Sequence, residues 1–208
     1  MGYGLRLLRP QTFSDERGRR LLIAWAGMPD APSSNPTEAY GWQHALTVPR
    51  RLTGNGGQIL QSPVPELERL RRNGRPLLEN TEFLLEDGSG DLLLTFPEQN
   101  CRPWKIQVGS GLRLSWEEGI LRLELNASWG YGRTFRQLAL RQCRSLRLLA
   151  DTSLLEIYVN GGEQVLTTRF YPDYPGQGNR ALPIKLACPG ISGTGWQMDA
   201  METNRHYF

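Results

Sequence analysis

The sequence predicts an all-β protein whose larger part is a β-sandwich, and three observations carry that prediction. Apolar runs are short and closely punctuated by 23 glycines and 14 prolines among 208 residues, as in many-stranded architectures. Residues 155–160 alternate, with Leu155, Ile157 and Val159 on one face and Glu156, Tyr158 and Asn160 on the other. The turn Asn160-Gly161-Gly162 then leads into the strand-like run 163–170, and such a turn supplies the positive φ angles that a tight hairpin requires. Chained hairpins need a second sheet over their apolar face, so a sandwich is the economical arrangement.

Taken in order, residues 19–25 read as a buried strand, 28–36 as a Pro/Ser/Asn loop and 44–48 as a second strand. Gly54-Asn55-Gly56-Gly57 is a turn signal, with 58–61 as the returning strand. Residues 63–72 predict the one good helix. Pro65 suits its first turn, Glu66 and Glu68 lie near its start, and Arg71 and Arg72 close it, the charge order that the helix dipole favours. Val64, Leu67 and Leu70 recur every three residues and give this connector one contact face. Beyond residue 77, strands are predicted at 91–96, 105–108, 111–116, 120–126, 138–140, 146–150, 154–160 and 164–170. No internal repeat is visible.

Composition excludes several functions. Hydrophobic residues make up 39% and charged residues 22% of the chain, the balance of a folded soluble domain. A net charge of +3 with scattered arginines, and no basic stripe interleaved with aromatics, argues against nucleic acid. No apolar run approaches the roughly 20 residues of a membrane helix, so no membrane partner is expected. Cys101, Cys143 and Cys188 form no CxxC pair, which argues against a disulfide framework and for a reducing compartment. His44 and His206 are the only histidines, so no metal site and no cofactor are expected. Met1 to Pro10 lacks the apolar core of a signal peptide, and the expected location is cytoplasmic.

Four ordered stretches carry a family resemblance. Pro10-Gln11-Thr12-Phe13-Ser14-Asp15 through Gly18-Arg19-Arg20, with Leu22-Ile23-Ala24-Trp25, is similar to "APQTF.D..GRR.LIGW". Gly41-Trp42-Gln43-His44-Ala45-Leu46-Thr47-Val48-Pro49-Arg50 is similar to "GW.HALTLPREL", and Gln61-Ser62-Pro63-Val64-Pro65-Glu66-Leu67 to "Q.PVPEL". Asp151-Thr152-Ser153, Glu156-Ile157-Tyr158-Val159-Asn160 and Gly162-Glu163 are similar to "D.SS.EIFVNDGE". Between about Leu77 and Arg144 the likeness is one of pattern only. Together these strings resemble the C-terminal part of glycoside hydrolase family 32, the β-fructosidases of the sucrose-6-phosphate hydrolase and invertase kind. The resemblance implies a remnant of the last blades of a five-bladed β-propeller over residues 1–51, a linker with a short helix over 52–76, and a β-sandwich over 77–208. It also implies a fructoside as the partner of the full-length enzyme.

The family retains configuration by a two-carboxylate mechanism through a covalent intermediate. Its nucleophilic Asp lies in a "W.NDPNG"-like string, its acid/base Glu in an "EC" string, and a second Asp in "RDP" binds fructose hydroxyls. None of the three strings occurs here. Asp15, Asp30, Glu66 and Glu156 match no catalytic position and read as salt-bridged or solvated surface carboxylates, so no catalytic residue is assigned and the chain alone is expected to be inactive. Trp25 matches a tryptophan that stacks on fructose in the family, and is the one substrate-binding candidate; packing of a strand face is the competing explanation.

The family string before "PQTF" is "D.G.DFYA", where this chain has Gly2-Tyr3-Gly4-Leu5-Arg6-Leu7-Leu8-Arg9. Shifting the codons by one base can turn Leu7 into Phe, Leu8 into Tyr and Arg9 into Ala. A frameshift near Pro10 is therefore one reading, and a genuine variant arm the other. A truncated propeller would keep its sandwich contacts but leave Leu21, Leu22, Ile23 and Trp25 on a sheet without its propeller neighbours, a poorly supported arm and a surface for self-association. Two alternatives stand beside an enzyme fragment. One is a stand-alone, non-catalytic sandwich, carbohydrate-binding or structural, with Trp104, Trp116, Trp129 and Tyr131 as sugar-binding aromatics or as core. The other is a subunit that completes a propeller supplied by another chain.

Overall fold

A computed structural model describes residues 3–4, 7–27, 35–97, 102–132, 134–173 and 180–201. The expected 28–36 loop therefore falls mostly outside the described residues, as do Asp30, Cys101 and His206. Three sheets account for the fold. The first contains β2 (Leu7–Ser14), β3 (Arg20–Ala26), β5 (Arg50–Asn55) and β6 (Gln58–Pro63) in that order, with the two-residue β4 (Ala45–Leu46) pairing on β3.

The other two sheets form the sandwich. One runs β1 (Tyr3–Gly4), β16 (Gln164–Arg169), β15 (Leu154–Val159), β14 (Ser145–Asp151), β9 (Ser89–Thr95), β18 (Ser192–Met198) and β7 (Arg71–Leu78). Its partner runs β13 (Phe135–Ala139), β12 (Ile120–Leu125), β11 (Leu112–Glu117), β10 (Trp104–Val108), β17 (Leu182–Ala187) and β8 (Glu82–Leu85). All pairings are antiparallel except β1 on β16. Alternate residues of most of these strands enter one apolar core, among them Leu92, Leu94, Ile106, Leu114, Leu121, Leu123, Leu148 and Ile157.

The β15–β16 hairpin forms as expected, with Asn160, Gly161 and Gly162 at φ of 51°, 70° and 97°. The stretch read as a linker, 52–76, is instead mostly strand: it holds the bulk of the β5–β6 hairpin and the first part of β7. The predicted helix is a short 3-10 helix over Pro65–Leu70. An apolar period of three is the period of that tighter helix, whose residues i and i+3 eclipse, and Val64 and Leu67 are its buried positions.

The first sheet keeps contact with the sandwich. Leu21, Val64 and Leu67 pack with Leu149, Tyr158 and Val165 of the sandwich into a second core, flanked by Val48 and Leu70. The first sheet thus lies on the outer face of β14–β16, and all six residues of β15 are buried. Leu22, Ile23 and Trp25 are half-buried. A hydrogen bond from the Gln61 N–H to the Gly162 carbonyl (3.0 Å) ties β6 to the sandwich hairpin. Only glycine fits there, since a Cβ on Gly162 would lie 1.8 Å from the Gln61 carbonyl oxygen.

Candidate functional site

Trp25 lies on β3, in register with Leu8 of β2 and Leu46 of β4. Its indole meets the His44 imidazole edge-on, with centroids 4.7 Å apart and planes at 82°. Gly27 permits this approach: a Cβ there would fall 2.4 Å from His44 Nδ1 and 2.9 Å from Trp25 Nε1. The segment that carries His44 is laced onto β3 through Thr47. The Thr47 N–H donates to the Ala24 carbonyl (2.9 Å), and the Ala24 N–H donates to Thr47 Oγ1 (3.1 Å). Upstream, Asn35 caps the short helix Pro36–Tyr40 by accepting from the Thr37 N–H, and its Nδ2 donates to the Gln43 carbonyl (3.2 Å).

Arg169 fastens this loop to the sandwich. Its guanidinium donates to Ser153 through the backbone carbonyl and the hydroxyl, both at 3.0 Å, and lies 5.2 Å from the Trp42 ring centroid and 5.4 Å from that of Tyr171. Neither Trp42 nor Arg169 is a candidate on the sequence alone. The signal available was Trp42's place in the same Gly-Trp string as His44.

The second tie is ionic and buried. Arg50 and Glu156 have side-chain exposures of 0% and 1%, with Arg50 Nη2 2.7 Å and Nε 2.9 Å from Glu156 Oε2. Arg50 also donates to Gln61 Oε1 (3.1 Å) and Thr167 Oγ1 (2.6 Å), while Glu156 accepts from the Val48 N–H (2.7 Å) and the Tyr158 hydroxyl. Burial works against the Arg50 charge, but the Glu156 carboxylate outweighs it and holds the guanidinium above its ordinary value. Burial, then the same carboxylate, pushes the Tyr158 hydroxyl well up. Glu156 is therefore salt-bridged, as expected, but in the interior rather than at the surface.

Asp15 and Glu66 are also engaged. Arg19 Nε sits 2.7 Å from Asp15 Oδ2, and Arg19 Nη2 sits 2.9 Å from Glu66 Oε1, which Arg17 also reaches at 3.3 Å. Desolvation lifts Asp15, yet the hydrogen bonds and charge of Arg19 prevail and hold it below its usual range. The Arg19 hydrogen bond does the same to Glu66. One guanidinium thus stands between two ionised carboxylates, neither of which can donate a proton near neutrality. That is the wrong electrostatic arrangement for a glycosidase pair, which needs one protonated acid. Among the described residues no cluster of three His, Cys, Asp or Glu side chains is placed to hold a metal ion.

Of the other aromatics, Trp104, Trp116 and Trp129 are core residues, 4%, 5% and 2% exposed, and cannot present a ring face to a sugar. Trp116 Nε1 donates to the Leu140 carbonyl (2.7 Å) and Trp104 stacks on Phe96. Tyr131 keeps a partly open ring, set edge-on to Tyr171.

Comparison with known proteins agrees with both halves of this architecture. Residues 2–63 match the profile of the glycosyl hydrolases family 32 N-terminal domain, and residues 128–186 match that of the glycosyl hydrolases family 32 C terminal. Sucrose-6-phosphate hydrolase of Bacillus subtilis (strain 168) is 34% identical over 185 residues, covering 83% of this chain and 38% of that protein. Raffinose invertase of Escherichia coli is 33% identical over 186 residues, with the same shares. The chain therefore spans well under half the length of these relatives. Among solved structures, sucrose-6-phosphate hydrolase from Lactobacillus gasseri superposes with a TM-score of 0.77 at 23% identity, over 93% of this chain and 41% of that one. The Bombyx mori GH32 β-fructofuranosidase BmSUC1 gives 0.75 at 22%, over 95% and 41%. These neighbours are propeller-plus-sandwich enzymes. On the two matching profiles and these relatives, the chain belongs to glycoside hydrolase family 32.

Proposed function

We propose that this chain is the C-terminal part of a β-fructosidase that hydrolyses sucrose or sucrose 6-phosphate, and that alone it is catalytically inert. The observation that carries the reading is the state of its carboxylates: Asp15 and Glu66 share Arg19, and Glu156 is buried against Arg50. Hydrolysis with retention needs a free carboxylate nucleophile and a protonated acid about 5–5.5 Å apart. The curated relatives include sucrose-6-phosphate hydrolases, which supports the substrate class. In this reading Trp25 lines the fructose pocket of the completed propeller. His44 props its ring, so that a face stays free for the C–H face of a sugar. The propeller-derived part runs to about Pro63, where both the first sheet and the N-terminal-domain match end. Exposed Phe13, Leu46 and Ile59 make this sheet a surface for self-association. A cytoplasmic location fits the unpaired Cys143 and Cys188.

The test joins this chain behind the portion of the Bacillus subtilis relative that precedes its matched segment. The expected outcome is sucrose 6-phosphate hydrolysis by the joined protein and loss of most of it in Trp25→Ala. Equal activity in the Trp25→Ala form would remove the role given to that residue. An inert joined protein, with the parent enzyme active, would remove the reading.

A further inference from the structure

The outer face of the six-stranded sheet carries a groove of about 520 Å³ that the fructosidase reading does not use. Cross-strand register builds it. Lys105 of β10 pairs with Ser115 of β11, which pairs with Arg122 of β12, so the three side chains project in one row toward solvent. At roughly 4.8 Å per strand, the Lys105 and Arg122 Cα atoms stand about 10 Å apart with the Ser115 hydroxyl between them. In the next row Arg113 is neutralised by Glu124 (2.9 Å), and Lys185 by Glu82 (3.3 Å). The side chains of Lys105 and Arg122 have no ion-pair or hydrogen-bond partner among the described residues. Pro103 and Ala187 wall the groove, and Glu117 lies at its end.

Two like charges flanking a hydroxyl in one cross-strand row repel each other unless an anion lies between them. Lysine and arginine long enough to converge on one oxyanion, with a hydroxyl between them able to donate to it, make a phosphate site. Its size is that of a small-molecule pocket. We propose that this groove binds a phosphomonoester dianion, held by Lys105, Arg122 and Ser115. If the phosphate is carried on a sugar, Glu117 is placed to accept from the sugar's hydroxyls.

The experiment follows backbone amide shifts of the 208-residue chain by NMR at low ionic strength, titrating inorganic phosphate, sucrose 6-phosphate and sucrose separately. Expected are saturable shifts on residues 104–106, 114–116 and 121–123 with both phosphates, and at least tenfold weaker binding of sucrose. Tighter binding of sucrose 6-phosphate identifies a sugar phosphate as the ligand, and equal binding identifies free phosphate. The double variant Lys105→Gln/Arg122→Gln, with amides outside the groove unmoved, should weaken phosphate binding at least tenfold. Sucrose binding as tightly as sucrose 6-phosphate, shifts located elsewhere, or an unchanged affinity in the double variant would overturn the proposal. Hydrolytic activity enters none of these readouts, so the groove stands or falls independently of the fructosidase reading.

Discussion

Replacing Glu156 by Gln tests how the first sheet is held to the sandwich. The substitution keeps side-chain shape, and its carbonyl can still accept from the Val48 N–H. An amide NH2 then faces Arg50 Nε, Arg50 Nη2 and the Tyr158 hydroxyl, where the carboxylate now accepts from all three. A guanidinium with 0% side-chain exposure loses its counter-charge and keeps only Gln61 and Thr167 as acceptors. Breaking a buried pair by removing one partner costs about 3–5 kcal/mol. For a chain of this size that is a fall in Tm of roughly 6–20 °C. Removing both charges in Arg50→Met/Glu156→Leu strands no charge, though Gln61, Thr167 and the Val48 N–H lose partners. The double variant should therefore cost at least about 2 kcal/mol less than the sum of the single changes. Urea denaturation of the parent, Glu156→Gln, Arg50→Met, Glu156→Leu and the double variant, followed by tryptophan fluorescence, measures the single change and the cycle. A Glu156→Gln protein within about 0.5 kcal/mol of the parent, or strict additivity, would refute the reasoning.

Other outcomes follow from the same contacts. Gly162→Ala should destabilise by at least about 2 kcal/mol, since it strains a φ of 97° and drives a Cβ into the Gln61 carbonyl; denaturation and protease susceptibility of the first 63 residues would report it. Asp15 and Glu66 have folded values held below their ordinary 3.8 and 4.5, so their pairing with Arg19 stabilises above that range and is lost as pH falls through the lowered values. An acid titration of the side-chain carboxyl shifts should place both midpoints below those ordinary values. On the alkaline side, burial pushes the Cys143 and Cys188 thiols up to about 12 and Tyr158 well above 10. The unfolded chain releases these protons first, so stability should decline from about pH 9 upward, as read by Tm against pH. In the native protein neither Cys143 nor Cys188 should react with a thiol reagent at neutral pH, whereas both should in urea.

How much of this was legible in the sequence depended on how local each determinant is. Strands from 89 to 170 were readable because alternation and turn chemistry are short-range properties. The ring stack of Trp104 on Phe96 and the buried Trp116 belong to that alternating face. β1, β2, β7, β8, β17 and β18 are not among the strands that the sequence predicts. β7 contains Pro76 and Gly74 and tolerates them at a sheet edge. β17 carries Pro183, and β8 is a four-residue edge strand. β18 carries Gly193 and Gly195, where a Cβ would meet the Leu93 carbonyl and the Phe83 ring. Gly74, Gly193 and Gly195 stand where neighbours approach closely, which no local pattern reveals. The polar face of β15 was a similar blind spot: Glu156 is buried by Arg50, 106 residues away in the chain. Trp25, by contrast, is named by its motif, whereas its contact with His44 is visible only in the structure.

The most direct measurement is fructose release by the purified 208-residue chain, incubated at high protein concentration with sucrose and with sucrose 6-phosphate. The carboxylate arrangement described here gives release no faster than in buffer for either sugar. Turnover by the chain alone, surviving repurification and proportional to its concentration, would contradict it.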